Sequence, residues 1–134
     1  MTRKVLLVDD SSAIRTGFLN AFSKSEFECI EAEDGLQGLE ALNQHPDIAV
    51  IILDFNMPNM NGMEMLVELE KKGQKVPPIF MVTTEYEDEL VKKCDELGVK
   101  AWIVKPIDPN SLNGIILKYL QAQDKRNKLV RIST

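Results

Sequence analysis

No apolar run in the chain approaches the roughly 20 residues that a membrane-spanning helix needs. The apolar part of the N-terminal stretch MTRKVLLVDD is too short for a secretory signal peptide and ends in two carboxylates, so a leader is not expected there. Cysteine is scarce. Cys29 and Cys94 lie far apart with no metal-ligand spacing, which leaves two neutral thiols of a reducing compartment, with a disulfide as the alternative. These absences together predict a cytoplasmic protein. Internal repeats and low-complexity segments are missing too, and 134 residues suffice for one domain with its own core. The formal charge of −5 is unevenly spread, because the segment from Gln121 to Thr134 carries Lys125, Arg126, Lys128 and Arg131 against Asp124 alone. The body is left with 12 basic and 20 acidic residues, which argues against the positive footprint of a nucleic-acid binder. Residues 122–134 read as a basic, solvated C-terminal tail or linker, and residues 1–121 as the folded domain.

What is present is a regular alternation. Apolar runs at Lys4–Val8, Phe27–Ala32, Ile48–Leu53, Pro78–Val82 and Ala101–Val104 have strand character, and the third is the most hydrophobic, as a central parallel strand requires. Between them lie amphipathic segments with helical spacing. Ile14, Phe18, Ala21 and Phe22 follow a cap at Ser11 or Ser12, and Leu36, Leu39 and Leu42 follow an Asp34-Gly35 turn. Met63, Leu66, Val67 and Leu69 end near Gly73, and Leu90, Val91, Cys94 and Leu97 stop at Gly98. A last helix begins near Asp108 and Pro109, with Leu112, Ile115, Ile116, Tyr119 and Leu120 on its apolar face. Five strands alternating with five helices predict an α/β fold with a parallel sheet joined by right-handed crossovers.

In such a sheet, ligands gather outside the carboxyl ends of the strands. Strand one ends in Asp9 and Asp10, strand three in Asp54, strand four in Thr83 and strand five in Lys105. In a flavodoxin-like order 2-1-3-4-5 these ends are adjacent. Three carboxylates in one crevice repel one another unless a cation intervenes, and Mg²⁺ suits an all-oxygen site that completes its shell with water and phosphate. A metal, a carboxylate nucleophile and a lysine are the equipment of phosphoryl transfer. Each piece alone is commonplace; their joint appearance is the signal.

Five motifs then resemble the receiver domain of two-component response regulators, over roughly residues 4–120: VLLVDDS, the EDG at Glu33–Gly35, ILDFNMPNMNG around Asp54, MVTTE at Met81–Glu85 and WIVKP at Trp102–Pro106. The resemblance implies a five-stranded parallel sheet in that order, similar to single-domain chemotaxis-type regulators. It makes Asp54 the acceptor of a phosphoryl group from a histidine kinase. Asp10 becomes the direct Mg²⁺ ligand, with Mn²⁺ a possible substitute, and Asp9 acts through metal-bound water. Asn56 gives its backbone carbonyl to the metal, and Lys105 pairs with the phosphoryl oxygens ahead of a cis peptide to Pro106. Thr83 is the switch hydroxyl and Trp102 the switch aromatic. An indole is bulkier than the family's usual ring and only donates a hydrogen bond, so it is expected to move less or to stay at the surface as a binding contact. Asn56 and Glu85 flank the site where the family orients hydrolytic water, implying a short-lived signal.

The expected partners are a sensor histidine kinase or phosphotransfer protein, and a downstream protein on the face formed by the fourth helix, fifth strand and fifth helix. Neither nucleic acid nor membrane insertion is expected, and the chain is read as a monomer or a phosphorylation-dependent dimer. A stand-alone receiver in chemotaxis or phosphorelay signalling is favoured over the receiver portion of a multidomain regulator with a DNA-binding or enzymatic effector. An enzyme proper, such as a flavodoxin-like binder or an aspartate-based hydrolase, is disfavoured. DDSSAIR after strand one lacks a glycine-rich phosphate loop, and the residue two beyond Asp54 is Asn56 rather than a second acid. Chemistry is expected only as Mg²⁺-dependent self-phosphorylation and self-dephosphorylation at Asp54.

Overall fold

The computed structural model describes residues 3–24, 27–73 and 75–133, with side chains as far as residue 125. Ten elements alternate along the chain: β1 (Arg3–Val8), α1 (Ser12–Phe22), β2 (Phe27–Ala32), α2 (Gly35–Gln44), β3 (Ile48–Leu53), α3 (Gly62–Lys72), β4 (Ile79–Thr83), α4 (Asp88–Glu96), β5 (Val99–Val104) and α5 (Pro109–Ser133). All strands are parallel, in the order β2-β1-β3-β4-β5. The expected fold class is therefore the observed one.

Alternation within each strand divides the core between the two faces of the sheet. Leu6, Val8, Ile51, Leu53, Ile79 and Met81 point to the face covered by α2, α3 and α4, where Ala41, Met65, Leu66, Leu69 and Cys94 meet them. Val5, Leu7, Val50, Ile52, Phe80 and Val82 point to the other face, against Phe18 and Phe22 of α1 and Leu112, Ile116 and Leu120 of α5. Burial on both sides explains why β3 reads as a continuous apolar run.

Local chemistry sets the helix ends. Ser11 caps α1 through Ile14 N–H, and Asp34, which sequence placed in a turn, caps α2 through Gln37 N–H. Asn61 and Glu64 form a reciprocal capping box on α3, which ends at Gly73 in the left-handed region, φ 63°.

Three expectations need adjustment. β5 begins at Val99 rather than Ala101, because the sheet pairs Val99 with Ile79. Ile115 is 42% exposed although it was assigned to the apolar face of α5. It sits at the rim of the stripe whose centre, Leu112, Ile116 and Leu120, faces the sheet. The backbone of the basic segment is helical through Ser133: after Gly114 no glycine or proline interrupts a run of good helix formers. The side chains of Arg126, Lys128 and Arg131 lie outside the described residues. No helix among the described residues is long and apolar enough to cross a membrane.

Candidate functional site

The site is built by ladders that run one residue past the strands. β1 and β3 end in register, with Val8 opposite Leu53, and β4 runs two residues further, since Leu53 lies opposite Met81 and β4 ends at Thr83. Asp9 N–H then donates to Ala32 C=O at 3.1 Å, Asp54 N–H to Val8 C=O at 2.9 Å, and Lys105 N–H to Thr83 C=O at 2.8 Å. Three functional residues are thereby delivered to one edge by sheet hydrogen bonds rather than by loops. Behind Asp54 the chain folds back so closely that a Cβ on Gly62 would lie 2.6 Å from the Asp54 carbonyl oxygen, so only glycine fits there.

Asp9, Asp10 and Asp54 each offer a carboxylate oxygen within 4.8 Å of the others. Their environments differ. Asp9 is buried and fully engaged: Oδ1 accepts from Ser11 N–H at 2.9 Å and Oδ2 from Lys105 Nζ at 2.7 Å. Asp54 is also buried, and its Oδ2 lies 3.4 Å from Lys105 Nζ. Burial raises its carboxyl pKa, against a hydrogen bond from Thr83; the Asp9 charge adds to the rise and Lys105 opposes it. Asp10 is exposed, with no hydrogen-bond or ion-pair partner among the described residues. A hard oxygen-preferring cation fits this donor set, since one carboxylate is free, the ligands are all oxygen and the acidic cluster is compensated only by Lys105 directly. The peptide between Lys105 and Pro106 is cis, as expected.

The β4–α4 connection leads away from the site through Glu85, which is tied at three points. Its N–H donates to Thr83 Oγ1 at 3.3 Å, its carboxylate accepts from Asn56 Nδ2 at 2.9 Å, and its carbonyl accepts from the Trp102 indole at 3.0 Å. Trp102 is half-buried, its ring centroid 6.3 Å from that of Phe55, so the indole neither lies free on the surface nor sits fully in the core. Thr83 is wholly buried. Both cysteines are free, and burial raises both thiols, Cys29 to about 11, so they are neutral.

The strand ends read from sequence place Asp9, Asp10, Asp54, Thr83 and Lys105 at this edge, and the structure brings them together there; sequence reading missed Arg15. Arg15 is buried on α1, and its guanidinium donates to the Asp9 carbonyl. The signal was available: a basic residue at i−3 and i−7 from Phe18 and Phe22 stands on a buried stripe.

Residues 5–117 match the response regulator receiver domain family. A chemotaxis protein CheY homolog of Campylobacter jejuni is 40% identical over 112 residues, covering 81% of this chain and 85% of the relative. Chemotaxis protein CheY1 of Helicobacter pylori is 39% identical over 111 residues, covering 81% and 90%. Among solved structures, Vibrio cholerae chemotaxis protein CheY4 superposes with a TM-score of 0.77 at 36% identity, over 91% of this chain and 98% of that one. The Borrelia burgdorferi CheX-CheY-BeF3-Mg²⁺ complex contains a chain similar at a TM-score of 0.80 and 29% identity, over 88% and 89%. With the parallel sheet and the acidic edge already in place, these matches mean that the chain belongs to the response regulator receiver family.

Proposed function

We propose that the protein is a signalling switch set by phosphorylation of Asp54 in the cytoplasm, in a chemotaxis-type pathway. The observation that carries this reading is the convergence of Asp54, Lys105, Thr83 and the acidic pair on one edge, with Asp54 buried between a cation and a hydroxyl. Receivers of this family are signalling switches rather than classical enzymes, so the chemistry is confined to one aspartate.

In the transfer step, an Asp54 oxygen attacks the phosphorus of a phosphohistidine on the kinase or phosphotransfer partner. A P–O bond forms as the P–N bond breaks, and the electron pair leaves with the imidazole nitrogen. Lys105 is the cation for the arriving phosphoryl oxygens; it already spans Asp9 and Asp54 and is released from Asp9 as the charge balance changes. Asp10 and Asp54, backed by Asp9 and the Asn56 carbonyl, are the residues that would hold Mg²⁺. Held there, it would supply positive charge against the oxygens of the transferring group. Thr83, whose buried hydroxyl favours the ionised Asp54 carboxylate, turns toward the phosphoryl group. Glu85 then loses its tether on Thr83, and Trp102 follows through its bond to the Glu85 carbonyl. Asn56 and Glu85, bonded to each other over the site, orient the water that ends the signal.

Two surfaces suit partners. An apolar cavity of about 450 Å³ opens beside Lys105, between Ile14 and Phe18 of α1 and Pro106 and Pro109, where a phosphotransfer partner can bring its histidine to Asp54. Among the described residues, Tyr86, Val104 and Ile115 are three of the four large apolar side chains left exposed. They lie on the β4–α4 connection, β5 and α5, supporting a downstream target on the α4–β5–α5 face.

Trp102 fluorescence tests the reading. Mg²⁺ followed by beryllofluoride should give two saturable responses, the second absent in Asp54→Ala. If direct calorimetry also detects neither Mg²⁺ nor the mimic, the protein is a receiver-shaped binding module that signals without phosphate.

A further inference from the structure

Among the described residues, Arg15 is the one basic side chain that is buried, 8% exposed. Burial of a guanidinium is costly unless every charge and donor is matched. Three groups match it here. Nη1 donates to the Asp9 carbonyl, Nε donates to Glu31 Oε1 of β2 at 3.0 Å, and Nη2 lies 4.0 Å from Glu33 just beyond β2. The planar fork of arginine can hold these groups at once; a lysine cannot.

The carbonyl it takes is one that regular structure leaves over. The β1–β2 ladder ends with the Asp9 N–H on Ala32, and the first backbone bond of α1 is accepted by Ser11. A buried carbonyl without a partner would destabilise the turn between them. The Asp9 carbonyl also belongs to the peptide plane that carries the Asp10 N–H. Because that unit is rigid, fixing the carbonyl fixes the Asp10 N and Cα, the base from which its side chain starts. Asp10 needs this support more than its neighbours do. Asp9 is held by Ser11 and Lys105 and Asp54 by its ladder, whereas the Asp10 carboxylate has no partner among the described residues.

We propose that Arg15 is the positioning residue of the acidic pair, setting divalent-cation affinity by pinning the Asp9–Asp10 peptide, with Glu31 of the second strand aligning it. The inference rests on the Mg²⁺ site proposed above. It predicts a sign that simple electrostatics reverses. A guanidinium near three carboxylates repels a metal ion, so its removal should tighten Mg²⁺ binding if charge were its only effect. If it positions the ligands, removal weakens binding despite the lost repulsion.

The test is calorimetric titration with Mg²⁺ of the wild-type protein, Arg15→Met, Arg15→Lys and Glu31→Gln, with metal-free melting temperatures measured alongside. Leu120→Ala, in the core midway along α5 and 4% exposed in the wild type, supplies destabilisation without touching the site. Supporting partners of metal ligands typically change affinity on the order of 10- to 100-fold. Arg15→Met should therefore weaken Mg²⁺ by about 10-fold, Arg15→Lys by less and Glu31→Gln by about two- to threefold, while Leu120→Ala binds normally. Unchanged or tighter binding in Arg15→Met overturns the proposal, as does an equal loss in Leu120→Ala. Should Arg15→Met fail to fold, Glu31→Gln decides by the same criterion, since Glu31 is exposed on the edge strand. A wild-type protein that binds no Mg²⁺ would instead sink the functional reading itself.

Discussion

The rim of the sheet has two halves that are anchored differently. On the side of α1, α2 and α3 every helix start is closed by a side chain: Ser11, Asp34 and the Asn61–Glu64 box. The loop after β3 is stitched to α2 as well, since Asn59, at φ 63°, donates to the second oxygen of Asp34 at 2.9 Å. On the other side, α4 starts at Glu87 with no side-chain cap and buries only Cys94. Its leading loop depends on the three bonds of Glu85, two of which go to Thr83 and Asn56 beside the acceptor. The half that holds charge is thus fixed before any partner arrives. The other half is held by groups that the proposed phosphorylation of Asp54 would disturb, which is how a local event would bias a larger surface.

Stability measurements can break this comparison. Met65 of α3 is fully buried, so Met65→Ala should cost about 2–5 kcal/mol in urea unfolding, whereas Val91→Ala on α4 should cost no more than about 1 kcal/mol. Equal losses would mean that α4 is as firmly packed as α3. Capping sharpens the contrast at a smaller scale. Asn61→Ala should destabilise by about 1 kcal/mol, and Glu87→Ser, which supplies the missing cap, should stabilise by roughly 0.5–1 kcal/mol. Glu87→Ser should also shrink the Trp102 response to beryllofluoride; a full response would detach α4 from the switch.

The smallest effects come from pH, and two buried aspartates should give opposite signs. Burial raises Asp54 above its ordinary 3.8, so its folded form holds the proton more tightly than the unfolded chain does. That contribution is full below pH 3.8 and is lost as pH rises through the folded value, leaving ionised Asp54 unfavourable at neutrality. Asp54→Asn should therefore raise the metal-free melting temperature at pH 7, with the gain fading as pH falls. The Gln37 N–H, helped by Asn59, lowers Asp34 below 3.8. Its contribution is present above that value and disappears as pH falls through the depressed one, so Asp34→Asn should lower the melting temperature at pH 7 and converge with wild type in acid. Parallel pH profiles for the two variants would refute the assignment.

Much of this was legible in the chain itself. β2 and β3 have the bounds that their apolar runs predict, because alternation and burial on both faces leave a local imprint. Asp9, Asp54, Thr83 and Lys105 could be assigned to one edge because each closes a strand and parallel topology puts those ends together. Other features depend on partners distant in sequence. β5 gains its first two residues from pairing with Ile79, and Ile115 loses its burial to its place at the rim. Trp102 was recognisable as the aromatic of its motif, but its bond to Glu85 requires two chain segments to meet. Arg15 stood on an apolar stripe without any indication of which carbonyl it served.

The sequence by itself therefore determined the order of elements, the family and the identity of the charged groups, since periodicity, turn residues and strand-end chemistry are local properties. Only the tertiary structure decided how those charges are shared. Asp9 is bonded through both oxygens, Asp10 has no partner among the described residues and Asp54 is raised by burial, because hydrogen bonds and desolvation arise between residues that the chain brings together only on folding.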